Sequence, residues 1–163
     1  MVVLLTWRGY ALHPTTHKSE NLVHWRERNA RSRPYLLGKP HRKLILETIR
    51  KTCESRNYEL LAAHIRTTHL HVILDAPSDP AGSMGTLKLE CTKALKAANL
   101  ATAADRIWAN YGHIRILKSP YAITKAINYV LQGQGPPMET YRETTAQDSP
   151  GSPTLTPTTQ SRY

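Results

Sequence analysis

The spacing of apolar residues divides most of the chain into short strands and helices. Apolar, β-branched runs of strand length predict three strands, at residues 2–7, 58–65 and 69–75. A fourth run, at residues 107–117, predicts either one strand or a hairpin that turns near residues 110–112. Between these runs, apolar residues recur every three or four positions, which is the period of an amphipathic helix.

Three segments carry this helical period, and residues that start or end helices mark their limits. The segments begin near Pro40, Ser83 and Ser119. Ser119 followed by Pro120 is a strong start signal, because serine caps the first free N–H groups and proline suits the first helical turn. Gly133 predicts the end of the last helix. The order strand, helix, strand, strand, helix, strand, helix predicts an α+β fold.

This order matches the ferredoxin-like βαββαβ plan, in which the first and third strands are central neighbours in an antiparallel sheet. The extra C-terminal helix is the candidate cover for the open face of that sheet. We therefore predict one domain over residues 1–138, with a basic excursion at residues 8–33 that is most simply a solvated loop. Residues 139–163 are rich in Pro, Thr and Ser, which predicts a disordered tail.

The strongly basic character of the chain indicates what kind of partner it binds. The chain has 163 residues, a net charge of +10 and a pI near 9.9, which favours a polyanion such as nucleic acid or a membrane surface. No apolar run approaches the roughly 20 residues of a membrane helix, and the N-terminus lacks the pattern of a signal peptide. We therefore expect a soluble, cytoplasmic protein, at the nucleoid if the partner is DNA. Cys53 and Cys91 fall within helical patterns and predict buried free thiols.

Two histidines stand one residue apart in the third predicted strand. Because side chains alternate across a strand, His69 and His71 share one face while Leu70 and Val72 occupy the other. Their Cα atoms would lie about 6.5–7 Å apart, so both rings could reach one divalent ion. The alternative, two structural histidines on a half-exposed strand, stays open. His64 on the partner strand could add to such a site, but a hydrogen-bonded sheet histidine is the simpler interpretation.

The last predicted helix places three polar residues beside its apolar stripe. Lys125, Tyr129 and Gln132 stand at i, i+4 and i+7 and therefore share one side of the helix. If this side faces the two histidines, Tyr129 brings a phenol to the metal edge and Gln132 offers an amide oxygen as a ligand. Lys125 would then favour the phenolate, the form that attacks. A merely amphipathic tyrosine at a helix border is the alternative.

The motif and its surroundings resemble a known superfamily. His69-Leu70-His71 within a strand, followed by Tyr129 on a helix, resembles the HUH single-tyrosine nucleases. The chain looks most like the small insertion-sequence transposases and the REP-associated tyrosine transposase-like proteins. The similarity is carried by residues 60–74, 108–117 and 128–135, and it covers residues 1–138.

This resemblance implies a metal-dependent enzyme that cleaves and rejoins single-stranded DNA, which carries hairpins in the family. His69 and His71 would hold Mg²⁺ or Mn²⁺, and Tyr129 would attack the phosphate to form a 5′-phosphotyrosine. Family members often take a third ligand from the fourth position after the tyrosine, which is Gly133 here. Gln132 is the favoured substitute and Gln134 the alternative. The candidate DNA-binding residues are Lys88, Lys96, Lys125 and Arg115.

Two other functional classes remain open from the sequence. A single-stranded nucleic-acid-binding module of the same fold would bind without cutting. A domesticated transposase would retain DNA binding without catalysis; Thr68, where many relatives have asparagine, and Gly133 keep that interpretation open. The sequence also leaves open whether the site forms within one chain or across a homodimer. A covalent protein–DNA adduct that survives SDS would distinguish the enzyme from both alternatives.

Overall fold

A computed structural model of the protein describes residues 1–10, 34–76 and 79–143. Most of the predicted 8–33 excursion, and the predicted tail beyond residue 143, lie outside these described residues. The chain forms, in order, β1 (Val2–Gly9), α1 (Lys39–Ser55), β2 (Glu59–Ile65), β3 (His69–Asp75), α2 (Pro80–Ala97), β4 (Trp108–Ile116), α3 (Pro120–Gln132) and β5 (Glu139–Arg142). The predicted α+β class is confirmed.

The five strands form one sheet in the order β4-β1-β3-β2-β5, and every neighbouring pair is antiparallel. β1 and β3 are neighbours inside this sheet, as the sequence predicted. β4 is a single strand, so the alternative of a hairpin near residues 110–112 is wrong. Pairing with β1 on both sides of a bulge, from Gly112 to Ile116 and at Trp108, keeps the segment in one strand despite its central glycine.

β5 was not predicted, and it lies in the segment interpreted as tail. Its residues pair with β2 at the edge of the sheet. A short edge strand needs only one partner, and Tyr141 is the one large side chain of β5 that packs against the core. The periodicity of four residues is too brief to distinguish such a strand from a polar tail.

The two faces of the sheet have separate apolar cores. α1 and α2 cover one face, where Leu70, Val72 and Leu74 are buried with Trp7. α3 covers part of the other, where Ile73 packs with helix residues such as Val130. His69 and His71 therefore lie on the α3 face, and the predicted helical cover is confirmed.

The ends of α2 and α3 show how local sequence fixes these helices. The Ser119 hydroxyl accepts a hydrogen bond from the Ala122 N–H at 3.2 Å, as the Ser-Pro signal predicted. α2 begins earlier than predicted, because Asp79, rather than Ser83, caps it and accepts from the Gly82 N–H at 3.0 Å.

The two cysteines, Cys53 and Cys91, are free and buried, as predicted, and burial raises the pKa of the Cys53 thiol to about 12.

Among the helices of the described residues, none combines the length and the apolar character that a membrane span requires.

Candidate functional site

The two histidines of β3 form the centre of the site. Their ring centroids lie 5.0 Å apart, with the ring planes nearly perpendicular. The Thr6 hydroxyl lies 2.8 Å from Nδ1 of His71, and the Thr68 hydroxyl lies 2.9 Å from Nδ1 of His69. With the proton on Nδ1, each threonine accepts a hydrogen bond, and each Nε2 keeps a free lone pair. The Thr68 hydroxyl thus orients the ring of His69.

α3 brings one tyrosine to this pair. The ring of Tyr129 lies 6.1 Å from the ring of His71, edge to face, and the side chain is 52% exposed. The rival tyrosines lie elsewhere. Tyr141 stacks with Arg50 on the opposite side of the sheet, and Tyr111 and Tyr121 are largely exposed. Among the tyrosines that the structure describes, Tyr129 therefore combines contact with the histidines and access for a substrate.

The amide that reaches the histidines comes from beyond the helix. Gln134 Oε1 lies 3.4 Å from His69 Nε2, whereas Gln132 is exposed on α3 and has no polar contact with either histidine. The geometry therefore favours the alternative, Gln134, over Gln132 as a third ligand. Helical spacing placed Gln132 on the side of Tyr129, but α3 ends at Gln132 and the chain then turns Gln134 back toward β3.

Residue 133, the fourth position after Tyr129, is a glycine that packs closely against that tyrosine. A Cβ atom added to Gly133 would lie 2.8 Å from the Tyr129 ring carbon Cδ2 and 2.9 Å from the Tyr129 carbonyl oxygen. Real Cβ atoms almost never approach other atoms so closely. The close packing of this helix end against Tyr129 therefore excludes any side chain at residue 133.

His64 ties the tyrosine-bearing segment to the sheet. It is fully buried, its Nδ1 lies 2.8 Å from the Val130 carbonyl oxygen, and its Nε2 accepts from the Met138 N–H at 3.2 Å. Nδ1 therefore carries the proton and donates to Val130. These two bonds hold Val130, the residue after Tyr129, and Met138, and so fix both ends of the segment that carries Gln134. The sheet-histidine interpretation of His64 is confirmed, but its link to α3 was not foreseen.

The positions of the predicted DNA-binding residues divide into two groups. Lys88 donates to the carbonyl oxygens of Ala109 and Tyr111, and Lys96 donates to that of Ala103, so both hold local backbone. They also belong to α2, on the face of the sheet opposite the histidines. Lys125 and Arg115 are exposed. Lys125 lies on α3 one turn before Tyr129, and Arg115 lies on β4.

Two arginines that sequence analysis missed lie beside the histidines. Arg8 stands opposite His69 in the pairing of β1 with β3. Arg66 donates to the Pro136 carbonyl oxygen at 3.2 Å and so supports the segment that follows α3. Side chains alternate between the two faces along β1 and β2. Once the strand order is known, this alternation places Arg8, and Arg66 directly after β2, on the face that carries the histidines.

Burial keeps the histidines of the site neutral. It lowers the pKa of His71 to about 4, and the neighbouring His69 acts in the same direction. Burial is also the main cause that lowers the pKa of His69 and of His64, and Arg66 adds to both shifts. The three imidazoles are therefore neutral at pH 7, which is the form that coordinates metal ions.

We expect this burial to make the protein acid-sensitive. The pKa of His71 is lower in the folded state than the value near 6.5 expected when unfolded. Above pH 6.5 both states are neutral, so the free energy of unfolding does not depend on this group. Between pH 6.5 and 4 the unfolded state binds the extra proton, so stability should fall by about 1.4 kcal/mol per pH unit because of His71.

Urea denaturation in EDTA at several pH values would measure this slope. Since His71→Gln removes one of the titrating groups, its slope between pH 6.5 and 4 should be shallower by one proton than that of the wild type. Parallel stability curves for the two proteins would contradict the assignment.

The two hydrogen bonds of His64 lead to a second expectation. His64→Ala would leave the Val130 carbonyl and the Met138 N–H without this partner, and an unsatisfied buried group costs about 1–3 kcal/mol. His64→Asn, whose amide can still donate near the Nδ1 position, should recover part of the loss. Denaturant unfolding of the three proteins would measure it, and equal stability of wild type and His64→Ala would contradict the role.

The polar atoms around the pair fit a divalent ion. His71 Nε2 and the Gln134 amide nitrogen are buried without a hydrogen-bond partner, and His69 Nε2 faces the Gln134 amide oxygen. The described residues hold no cluster of three His, Cys, Asp or Glu side chains suited to a metal, and the oxygen-bearing side chain that they place next to His69 Nε2 is the amide of Gln134. The donor set is mixed, because an amide oxygen suits ions such as Mg²⁺ and Mn²⁺ whereas imidazole suits ions such as Zn²⁺ and Ni²⁺.

No family model and no curated protein match the chain. Among solved structures it is similar to a REP-associated tyrosine transposase bound to a REP hairpin, with a TM-score of 0.48, 13% identity, and coverage of 81% of this chain but 65% of that one. It is also similar to a provisionally named transposase from Deinococcus radiodurans R1, with a TM-score of 0.47, 12% identity, and coverage of 80% and 88%. Transposases are thus among its structural neighbours.

Proposed function

We propose that this protein is an HUH-type single-tyrosine enzyme that nicks and rejoins single-stranded DNA. The observation that carries the proposal is the contact between the half-exposed Tyr129 ring and His71, at 6.1 Å, beside a histidine pair in which His71 Nε2 is buried without a hydrogen-bond partner. A nucleophile and a candidate metal site therefore lie next to each other on the same face of the sheet. A plain structural role for Tyr129 does not explain why buried Nε2 of His71 lacks a partner there.

The chemistry is a transesterification in which Tyr129 is the nucleophile. Its phenolic oxygen attacks the phosphorus, and the bond from phosphorus to the 3′ oxygen of the preceding nucleotide breaks. The leaving 3′ oxygen gains a proton and the phenol loses one, so the balance needs no other reactant. The product is a 5′-phosphotyrosine and a free 3′-OH. A second 3′-OH can reverse the step and join strands, because the phosphodiester bond count is unchanged.

Other residues of this chain would prepare the reactants. His69, His71 and Gln134 would hold Mg²⁺ or Mn²⁺, which supplies Lewis-acid polarisation of the scissile phosphate. Arg8 and Arg66 place positive charge beside the histidines and favour an anionic phosphate there. Lys125, exposed on the side of α3 that carries Tyr129, is the residue of the original DNA-binding set placed to act near the phenol.

The direct test is an SDS-stable adduct with defined polarity. Wild-type protein with Mn²⁺ should be incubated with a panel of hairpin-bearing single-stranded oligonucleotides, each labelled at either end. The proposal expects the 3′-labelled strand to migrate with the protein and the 5′-labelled strand to yield a shorter free product. Adduct on the 5′-labelled fragment would overturn the linkage. Cleavage without any adduct across the panel would overturn the tyrosine mechanism.

A further inference from the structure

The edge strand β4 carries a row of exposed polar and aromatic side chains on the same face as the histidines. Gly112 faces Met84 of α2, since a Cβ built there would meet the Met84 sulfur at 2.4 Å. Alternation along the strand therefore puts Tyr111, His113 and Arg115 on the other face. All three are exposed, and Tyr111 is the most exposed of the large apolar or aromatic side chains among the described residues, at 87%.

The register of the sheet aligns this row with the site. Thr6 pairs with His113 on one side and with His71 on the other. His113 and His71 are thus two strands apart, which corresponds to about 10 Å at 4.7–4.9 Å per strand. Arg8, opposite His69, lies in the strand between them. The row and the proposed nucleophile therefore border one continuous surface.

α3 leaves this part of the sheet uncovered. The helix packs across β2 and β3, and its apolar contacts at the β4 end stop at Leu117. The acidic residues of this face in the described strands, Glu59 and Asp75, lie at the opposite end of the sheet, paired with each other in register. Asp75 also forms an ion pair with the N-terminal amine. Among the described residues of this face, the end of the sheet with Tyr111 and Arg8 thus combines an aromatic ring with positive charge.

We propose that Tyr111, His113 and Arg115 form a binding track for the single-stranded DNA that flanks the cleavage site. Tyr111 stacks on an unpaired base, Arg115 contacts a phosphate, and His113 lies between them toward the histidine pair. Stacking of bases on exposed aromatic rings beside cations is the general means by which proteins hold single strands without reading their sequence. This inference deepens the proposed function and rests on it for the choice of DNA.

Binding can be measured separately from chemistry. The background is the full chain with Tyr129→Phe in EDTA, and the probe is a fluorescein-labelled oligothymidylate followed by anisotropy. Tyr111→Ala should raise Kd by about 5- to 150-fold, the value of one stacked base, whereas Tyr111→Phe should bind like the parent. Arg115→Gln should make the dependence of log K on log salt shallower by about 0.7, as expected for one lost contact with a single strand.

Two control variants remove similar side chains from the opposite side of the molecule. Leu89→Ala truncates an exposed apolar residue of α2, and Lys43→Gln neutralises an exposed lysine of α1. Both should leave Kd and the salt slope unchanged. Equal affinity of Tyr111→Ala and its parent would overturn the track. The track would also be overturned if Tyr111→Ala lost as much affinity for the matching duplex as for the single strand, because paired bases offer no face for stacking.

The outcomes separate this inference from the proposed function. Loss of binding in Tyr111→Ala, in a protein whose wild type forms no adduct, would support the track and overturn the nuclease. An adduct in the wild type together with unchanged binding in Tyr111→Ala would support the nuclease and overturn the track. Circular dichroism of each variant checks the fold, which these exposed side chains should not disturb.

Discussion

Replacing Tyr129 with phenylalanine should abolish the covalent DNA adduct while leaving DNA binding intact. The substitution keeps the ring that contacts His71 and deletes the only oxygen of that side chain able to form the phosphodiester link. The side chain is half exposed. The free energy of unfolding should therefore change by no more than the net contribution of a typical hydrogen bond, about 0.5–1.5 kcal/mol. Labelled adduct on SDS gels and anisotropy of the same oligonucleotide measure the two effects.

Tyr121→Phe provides the matched control for this prediction. Tyr121 lies on the same helix and is 76% exposed, but it has no ring contact with the site histidines. Its hydroxyl should be dispensable for the adduct. Mass spectrometry of the wild-type adduct should find the nucleotide on Tyr129. A nucleotide on any other tyrosine would overturn the assignment of the nucleophile, although the reaction class would stand.

Removal of the divalent ion should eliminate cleavage, and so should removal of either site histidine. EDTA should abolish adduct formation and added Mn²⁺ or Mg²⁺ should restore it, because the proposed ligand set of two imidazoles and an amide accepts both ions. His69→Ala and His71→Ala should both lose activity with and without added metal. Undiminished cleavage in EDTA would remove the metal from the mechanism.

Thr6→Val should weaken metal binding only in part, in contrast to the complete loss expected when a site histidine is removed. It removes the hydroxyl that lies 2.8 Å from His71 Nδ1 but keeps the shape of the side chain. Partners that orient a metal-bound histidine typically account for 10–100-fold in metal affinity or activity. We therefore expect a loss of that size, with partial recovery at high Mn²⁺. The Mn²⁺ concentration that gives half-maximal adduct formation is the measurement, and an unchanged value would refute the role of Thr6.

Sequence periodicity predicted the parts of the site that lie within regular elements. Alternation along β3 placed His69 and His71 together on one face, and helical spacing placed Tyr129 on the border of α3. It could not place Gln134, because the 3.6-residue period stops where the helix stops. The structure turns the chain at Gly133, and only the resulting tertiary contact selects Gln134 over Gln132.

Sequence periodicity also shows which face of a helix or strand a residue occupies, but not which residues that face contacts in the folded protein. The row that contains Lys88 and Lys96 does lie on one side of α2, yet both amines reach backbone carbonyls of the following segment. His64 was correctly assigned to a buried strand, but its link to Val130 depends on how α3 docks. Such pairings join residues far apart in sequence, and no local pattern records them.

The site draws on both ends of the described domain, which has a consequence for synthesis on the ribosome. Thr6 and Arg8 belong to β1, which acquires its neighbour β3 only after the intervening chain has been made. Tyr129, Gln134 and the Met138 N–H that closes the His64 bridge emerge well after the two site histidines. A growing chain therefore exposes its histidine pair long before its nucleophile is in place, and an interrupted translation product would lack the proposed capacity to nick DNA.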